Sequence, residues 1–355
     1  MNPQTDLQPR NLPRRRLGRT RLHVSELGLG TAPLGNLYRS IPDAEAYETI
    51  SSALAADINY MDCAPYYGFG LCETRVGEGL QGRDDVVLST KVGRLLEPAP
   101  HVTDDAERFG FRSAMPFTPV FDYTYEGVMQ SWESSLRRLQ RSRVDVLYVH
   151  DIGELTHGEL HHERFQQLTV GGGLRALAEL RSAGQIDAFG IGVNEIPICL
   201  RLLQEADLDA ILLAGRYTLL EQNALDELLP ECTRRGTSVI VGGPYNSGIL
   251  AVGTRGVGET RYNYEMAPDD IVLRVRRLEQ VCDEFGIPLA AAALQFPLAH
   301  RAIAAVIPGL GSSTQVAQTL AFYRTDIPAQ FWDELKSQKL IREDAPVRTD
   351  AAARS

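Results

Sequence analysis

No apolar run in this chain approaches the ~20 residues that a membrane-spanning helix needs, and the N-terminus is polar, so neither insertion nor secretion is expected. The cluster Arg14-Arg15-Arg16-Leu17-Gly18 has the charges of a twin-arginine signal but lacks the apolar stretch that must follow one. Cysteine is scarce. Cys63, Cys72, Cys199, Cys232 and Cys282 are odd in number, scattered and without Cys-x-x-Cys spacing, which argues against a disulfide framework or a thiolate zinc site and fits reduced thiols in a cytoplasm. Positive charge is in deficit, with 36 basic against 46 acidic residues and a formal net charge of −10. That balance disfavours nucleic acid and anionic membrane surfaces as partners and leaves a small solute as the expected one. Nothing in the pattern sets an oligomeric state.

The chain has 355 residues, 44% of them hydrophobic, enough for a large core. That length exceeds the usual single domain, yet α/β barrels reach it as one unit with insertions, so one domain over 1–355 is expected. Its structured part spans about 15–340, with Met1–Asn11 and Glu343–Ser355 reading as unstructured tails. A small hairpin around Gly18-Arg19-Thr20 opens the pattern. Strand-like apolar runs follow at Glu26–Thr31, Asn59–Cys63, Val86–Val92, Val144–His150, Ala188–Val193, Ala210–Ala214, Ser238–Gly242 and Ala304–Ile307.

Helical periodicity fills the intervals, over Asp43–Ala56, Glu73–Leu80, Tyr125–Gln140, Leu174–Ala183, Ile196–Glu205, Gln222–Arg235, Asp269–Phe285 and Ser312–Tyr323. Two more helices, Pro288–Ala299 and Pro328–Leu340, stand outside the repeat. Strands that each precede a helix imply a parallel sheet covered by helices. The expected fold is an α/β (β/α)8 TIM barrel with an N-terminal hairpin and extra C-terminal helices, with an open doubly wound sheet as the alternative. Three segments interrupt the spacing, at 93–122, 153–173 and 246–268. All follow strands, which puts them on the rim where a barrel carries its site.

Four polar residues stand at or just past the ends of apolar runs: Asp62 near the end of the second and Tyr67 beyond it, Lys91 near the end of the third, His150 at the end of the fourth. The carboxyl ends of parallel strands share one rim, so these residues are expected to converge. Tyrosine ionises near pH 10, and a cation beside it favours the phenolate. Lowering the phenol by about two units asks for roughly 2.7 kcal/mol, within reach of one close ammonium such as Lys91. Asp62 would hold that ammonium charged, and His150 would orient a substrate oxygen while a cofactor moves a hydride.

Taken singly, Asp62 reads as a turn residue, Lys91 as a snorkelling strand end and His150 as a core histidine. His157, His161 and His162 with Glu163 have helical spacing but no third ligand elsewhere, and read as a solvated face rather than a metal site. Gly171-Gly172-Gly173 reads as an entry turn to a helix rather than a phosphate cradle.

Together the four resemble the catalytic tetrad of the aldo-keto reductases. Asp62-Cys63-Ala64-Pro65-Tyr66-Tyr67-Gly68 is similar to the family motif in which an Asp precedes the catalytic Tyr by five positions, which selects Tyr67 over Tyr66. Ser89-Thr90-Lys91, the run ending Val149-His150-Asp151 and the exit Ile307-Pro308-Gly309 match as well. Within the family, Val149-His150-Asp151-Ile152-Gly153 and 213–222 look most like the aldose 1-dehydrogenase branch, whose members act on L-fucose, D-threo-aldoses, L-galactose or pyridoxal.

The resemblance implies oxidation of the anomeric hydroxyl of an aldose or similar cyclic hemiacetal to a lactone, with hydride transfer to NAD(P)+. An NADPH-dependent aldehyde or ketone reductase is the alternative. Gly309 and Gln315 stand where NADP-preferring members place a Lys and an Arg, which points to NAD, because a 2′-phosphate would lack charge-assisted partners. Asn194, Gly243, Pro244, Tyr245, Pro308 and Ser312 complete the implied cofactor contacts, with Ser312 at a helix start suited to phosphate. Here the chain departs from the family: Gly242-Gly243-Pro244 lacks the usual stacking aromatic, and Ala214 replaces a Gln.

Two other classes fit parts of the pattern. A Schiff-base aldolase would need Lys91 unpaired and easily discharged, and a non-catalytic sensor would bind NAD or NADP without turnover.

Overall fold

The computed structural model describes residues 11–256 and 260–348. In chain order its strands are β1 Arg14–Arg16, β2 His23–Ser25, β3 Leu29–Gly30, β4 Tyr60–Asp62, β5 Val87–Val92, β6 Arg94–Pro98, β7 Phe117–Phe121, β8 Val146–His150, β9 Ala188–Val193, β10 Ala210–Ala214, β11 Ser238–Gly242, β12 Arg261–Tyr262, β13 Glu265–Met266 and β14 Ile303–Ile307. One eight-stranded sheet runs β3-β4-β5-β8-β9-β10-β11-β14, parallel throughout. It closes where Val306 N donates to Glu26 O, Gly28 N to Val306 O and Gly30 N to Pro308 O. The fold is a (β/α)8 barrel.

The strands carry two cores because successive side chains point to opposite faces. Tyr60, Tyr148, Leu212, Ile240 and Ile307 fill the barrel lumen, whereas Met61, Leu147, Val149, Ile211 and Val241 face the helices. The β1–β2 hairpin stops the amino-terminal end of the lumen with Leu17, Leu22 and Val24. The opposite end is left open for polar side chains.

Most helices lie within two residues of expectation, since their ends carry chemical signals. Asp43–Ala55 starts after Pro42 with Asp43 and Glu45 in its first turn, and the Thr124 hydroxyl caps Tyr125–Leu139 by accepting from Gly127 N. Two expectations change. The helix expected over 222–235 divides into a 3₁₀ turn Asn223–Leu225 and a helix Leu228–Arg235. Pro230 is the reason: it has no amide hydrogen, and in a helix beginning at Leu228 it falls in the first turn, where none is needed. Likewise Pro297 ends the helix Leu289–Gln295, and the chain tightens into a 3₁₀ turn over Phe296–Ala299.

The expected carboxyl-terminal tail is partly fixed rather than loose. Ala345 is buried and Arg348 Nη2 donates to both oxygens of Glu26, at 2.8 and 2.7 Å. The rest of the two expected tails, 1–10 and 349–355, lies outside the described residues.

The three long post-strand segments all contain secondary structure. Residues 93–122 form the β6–β7 hairpin, in register from Arg94 opposite Phe121 to Pro98 opposite Phe117. Residues 153–173 fold into helices Glu154–His157 and His161–Thr169. Residues 246–268 hold a short helix Ile249–Val252 and the β12–β13 hairpin.

Candidate active site

The alternation that fills the lumen also aims the polar residues. On β4, Tyr60 and Asp62 share the inward face; on β5, Ser89 and Lys91 do so, while Thr90 between them turns outward and donates to Glu73 Oε1. The inward set forms a chain. Tyr60 and Tyr148 hydroxyls meet at 3.1 Å, the Tyr60 hydroxyl meets Ser89 Oγ at 3.1 Å, and Ser89 Oγ donates to Asp62 Oδ1 at 2.7 Å. The chain ends at Lys91, whose ammonium donates to Asp62 Oδ2 at 2.6 Å, Cys63 O at 2.9 Å and Tyr67 Oη at 3.2 Å. Three donors therefore meet three acceptors, and Lys91 is only 1% exposed.

Tyr67 reaches the lysine from the turn after β4. That turn is clamped by a close backbone approach: a Cβ on Gly35 would lie 2.6 Å from the Tyr67 carbonyl carbon, and Gly68 has φ +66° with its Cα hydrogen against Gly35 O. His150, the last residue of β8, packs edge-on to Tyr67 with ring centroids 6.1 Å apart. So Asp62, Tyr67, Lys91 and His150 do converge.

Burial and charge shift each group. Burial works to discharge Lys91, but the Asp62 carboxylate and Tyr67 phenol outweigh it and hold the ammonium above its ordinary pKa. That geometry removes the Schiff-base expectation, which required an unpaired, easily discharged lysine. Burial lifts the Asp62 carboxyl against the pull of Lys91 and Ser89. Burial also raises the Tyr67 phenol above its ordinary value, with Lys91 only opposing the rise. The expectation of a phenol drawn down by the lysine is corrected: desolvation of a phenolate is the larger effect. Burial, then Arg94 and Lys91, keeps the His150 ring neutral.

With Asp62 buried behind Lys91, Tyr67, Lys91 and His150 line a cavity of about 800 Å³. Its walls add residues the sequence reading did not assign to the site. Asp151 follows His150 with φ +46° and places Oδ2 at 3.4 Å from His150 Nε2. Arg94, first residue of β6, pairs with the same oxygen at 2.5 Å and lies over the Tyr66 ring, 3.9 Å from its centroid. Tyr264, in the left-handed turn of the β12–β13 hairpin, lines the cavity with its hydroxyl 3.5 Å from Asn194 Nδ2. Arg216 ties the two sides by donating to Asn194 O and Asn263 Oδ1.

The implied cofactor residues separate. Asn194 lines the cavity, whereas Gly243, Pro244, Tyr245, Pro308, Gly309, Ser312 and Gln315 do not. Tyr245 packs against the core. At the exit of β14 the polar groups serve one another: Gly311 N donates to Gln315 Oε1 and Gln315 N to Ser312 Oγ. A guanidinium does stand beside this loop, since Arg39 Nη2 lies 3.5 Å from Gly311 O while paired with Glu45. The loop is thus less bare of positive charge than Gly309 and Gln315 suggest. The helical histidines also part company: His157 turns inward to the Tyr123 hydroxyl at 3.0 Å, leaving His161 stacked near His162.

Comparison with known proteins agrees with this geometry. Residues 26–339 match the Aldo/keto reductase family. The chain is 46% identical to the pyridoxal 4-dehydrogenase of Microbacterium luteolum over 338 residues, covering 92% of this chain and 98% of that one. It is 37% identical to a D-threo-aldose 1-dehydrogenase of Pseudomonas sp, covering 90% and 95%. Among solved structures, the holo form of aldo-keto reductase AKR11C1 from Bacillus halodurans superposes with a TM-score of 0.71 at 26% identity, covering 97% of this chain and all of that one. With an Asp–Lys–Tyr–His cluster at the open end of a (β/α)8 barrel and relatives of nearly full length, this chain belongs to the aldo/keto reductase family, as a nicotinamide-dependent oxidoreductase.

Proposed function

We propose that the protein is a dehydrogenase that oxidises the anomeric hydroxyl of an aldose, or of a similar cyclic hemiacetal, to a lactone, with NAD as its preferred acceptor. The reading rests on one observation, the Lys91 ammonium shared between the buried Asp62 carboxylate and the Tyr67 phenol beside a neutral His150. The resemblance to enzymes named for aldose and pyridoxal supports it.

The residues present fit a nicotinamide ring. Gly192, where a Cβ would lie 3.5 Å from Lys91 Cε, adds no bulk beside the lysine, and Ala214 and the Asn194 amide also line the cavity. When bound, the cofactor takes or gives the hydride. The chain's own part is the proton. In oxidation Tyr67 acts as its phenolate, which Lys91 stabilises by donating to the oxygen; that oxygen takes the substrate hydroxyl's proton and becomes the neutral phenol as the hydride leaves the carbon. His150 orients the reacting oxygen, and Asp62 keeps the lysine charged and aimed.

The raised phenol pKa favours the reverse direction as a second reading, reduction of an aldehyde or ketone. Tyr67 then holds its proton through neutral pH, ready to give it to a forming alkoxide, and the same proton path serves both directions. A panel of L-fucose, L-galactose, D-arabinose and pyridoxal, run with NAD and NADP, tests the proposal. Lactone formation from an aldose with NAD favoured is the expected result. Aldehyde reduction without any aldose oxidation would replace this reading with the second, and clear NADP preference would overturn the cofactor assignment.

A further inference from the structure

We propose that the Arg94–Asp151 pair reads a hydroxyl on the carbon next to the reacting carbon. This rests on the dehydrogenase reading for its biological substrate, but not for its chemistry. The pair is placed for the task by two separate elements. Asp151 sits one residue beyond His150 and spends a single oxygen, Oδ2, on both Arg94 and His150 Nε2. Oδ1 enters neither contact. His150 Nε2 stands 3.4 Å from that carboxylate, while Nδ1 is buried without a partner among the described residues, so Nε2 is the nitrogen left to meet a substrate. A reacting oxygen bound by His150 therefore lies beside the carboxylate, within reach of a hydroxyl on the neighbouring carbon.

The guanidinium is held firmly. It lies between the Tyr66 ring and the Phe121 ring, 3.9 and 5.0 Å from their centroids, with 7% of the side chain exposed, and its Nε is buried without an acceptor among the described residues. Asp151 takes its place with φ +46°, which costs a residue other than glycine about 1 kcal/mol. A pair serving stability alone gains little from burial in a cavity wall beside a neutral histidine, since desolvation offsets its attraction. For ligand recognition the arrangement is suitable: a hydroxyl donates to Asp151 and accepts from Arg94. Aldoses carry such a hydroxyl at C2, whereas the phenolic hydroxyl of pyridoxal stands one carbon further from its aldehyde carbon. The aldose chemistry named by one relative thus carries the group that this pair would recognise.

The test uses the full-length protein with glycolaldehyde and acetaldehyde, which differ only in that hydroxyl, in the reducing direction with the preferred cofactor. The wild type is expected to favour glycolaldehyde in kcat/KM by about 30-fold or more. In Asp151→Asn, and in Arg94→Lys, that ratio is expected to fall below about fivefold. A wild-type ratio near one, or an unchanged ratio in folded variants, overturns the proposal, because a merely structural role would slow both substrates alike. Should either variant fail to fold, the wild-type ratio, together with that of an aldose against its 2-deoxy analogue, still decides. Absence of lactone from any aldose would instead count against the dehydrogenase reading and leave this ratio to be judged on its own.

Discussion

The barrel buries a charged cluster at each end, and the two are balanced in opposite senses. At the amino-terminal end a single carboxylate, Glu26, receives Arg15 and Arg348 and the Tyr323 hydroxyl. Burial opposes its ionisation, yet the two guanidiniums hold its carboxyl below the ordinary value. At the open end a single ammonium serves a carboxylate and a phenol, with His150 neutral beside it. There the acids are shifted up rather than down. A surplus of cation settles a cluster into its charged form and makes it a fastening. A shortage raises the acids instead, so that Tyr67 keeps its proton through neutral pH beside the cation that can stabilise its loss, which is the condition for passing one to a substrate.

Substitutions can break this contrast. Lys91→Met should have the largest effect, because it leaves Asp62 buried without its partner: about 3–5 kcal/mol of stability is expected to go, together with turnover, as read by denaturant unfolding and steady-state rates. Tyr67→Phe removes the proton carrier but no charge. It should lower kcat on the order of 10³-fold while cofactor affinity, followed by fluorescence titration, changes only a few-fold.

At the other end Glu26→Gln should leave kcat unaltered and cost about 1–3 kcal/mol of stability, since two guanidiniums lose their counter-charge. Glu26 ionises more readily folded than unfolded. Its contribution is therefore complete above the unfolded carboxyl range, near pH 4.3, and fades as pH falls through the lower folded value, so the variant should show a flatter acid limb in its melting temperature. A kcat loss in Glu26→Gln matching that of Tyr67→Phe would erase the distinction between the two ends.

The barrel and the cluster were legible in the sequence for one physical reason. A strand buried on both faces is a nearly unbroken apolar run, so a charge at its end stands out, as Asp62, Lys91 and His150 do. The cavity walls were not legible by that route. β6 and β7 hold mixed residues, include Pro119 and are separated by a long loop, and β12 and β13 have two residues each, too short for any period. Arg94 and Asp151 nonetheless left a signal, since each is a charge placed directly after a site strand, three residues past Lys91 and one past His150. The direction of the Tyr67 shift could not be read from residue types, because it depends on how dry the pocket is, and spacing carries no information about that.

The pH dependence of kcat/KM in both directions tests most directly whether Tyr67, held by Lys91, is the proton carrier. With the phenol above its ordinary value near 10, oxidation should rise about tenfold per pH unit from neutrality upward without reaching a plateau, while reduction stays flat over the same range. An oxidation plateau beginning near pH 7, or a reduction rate falling there, would place the proton on a different group and contradict the account.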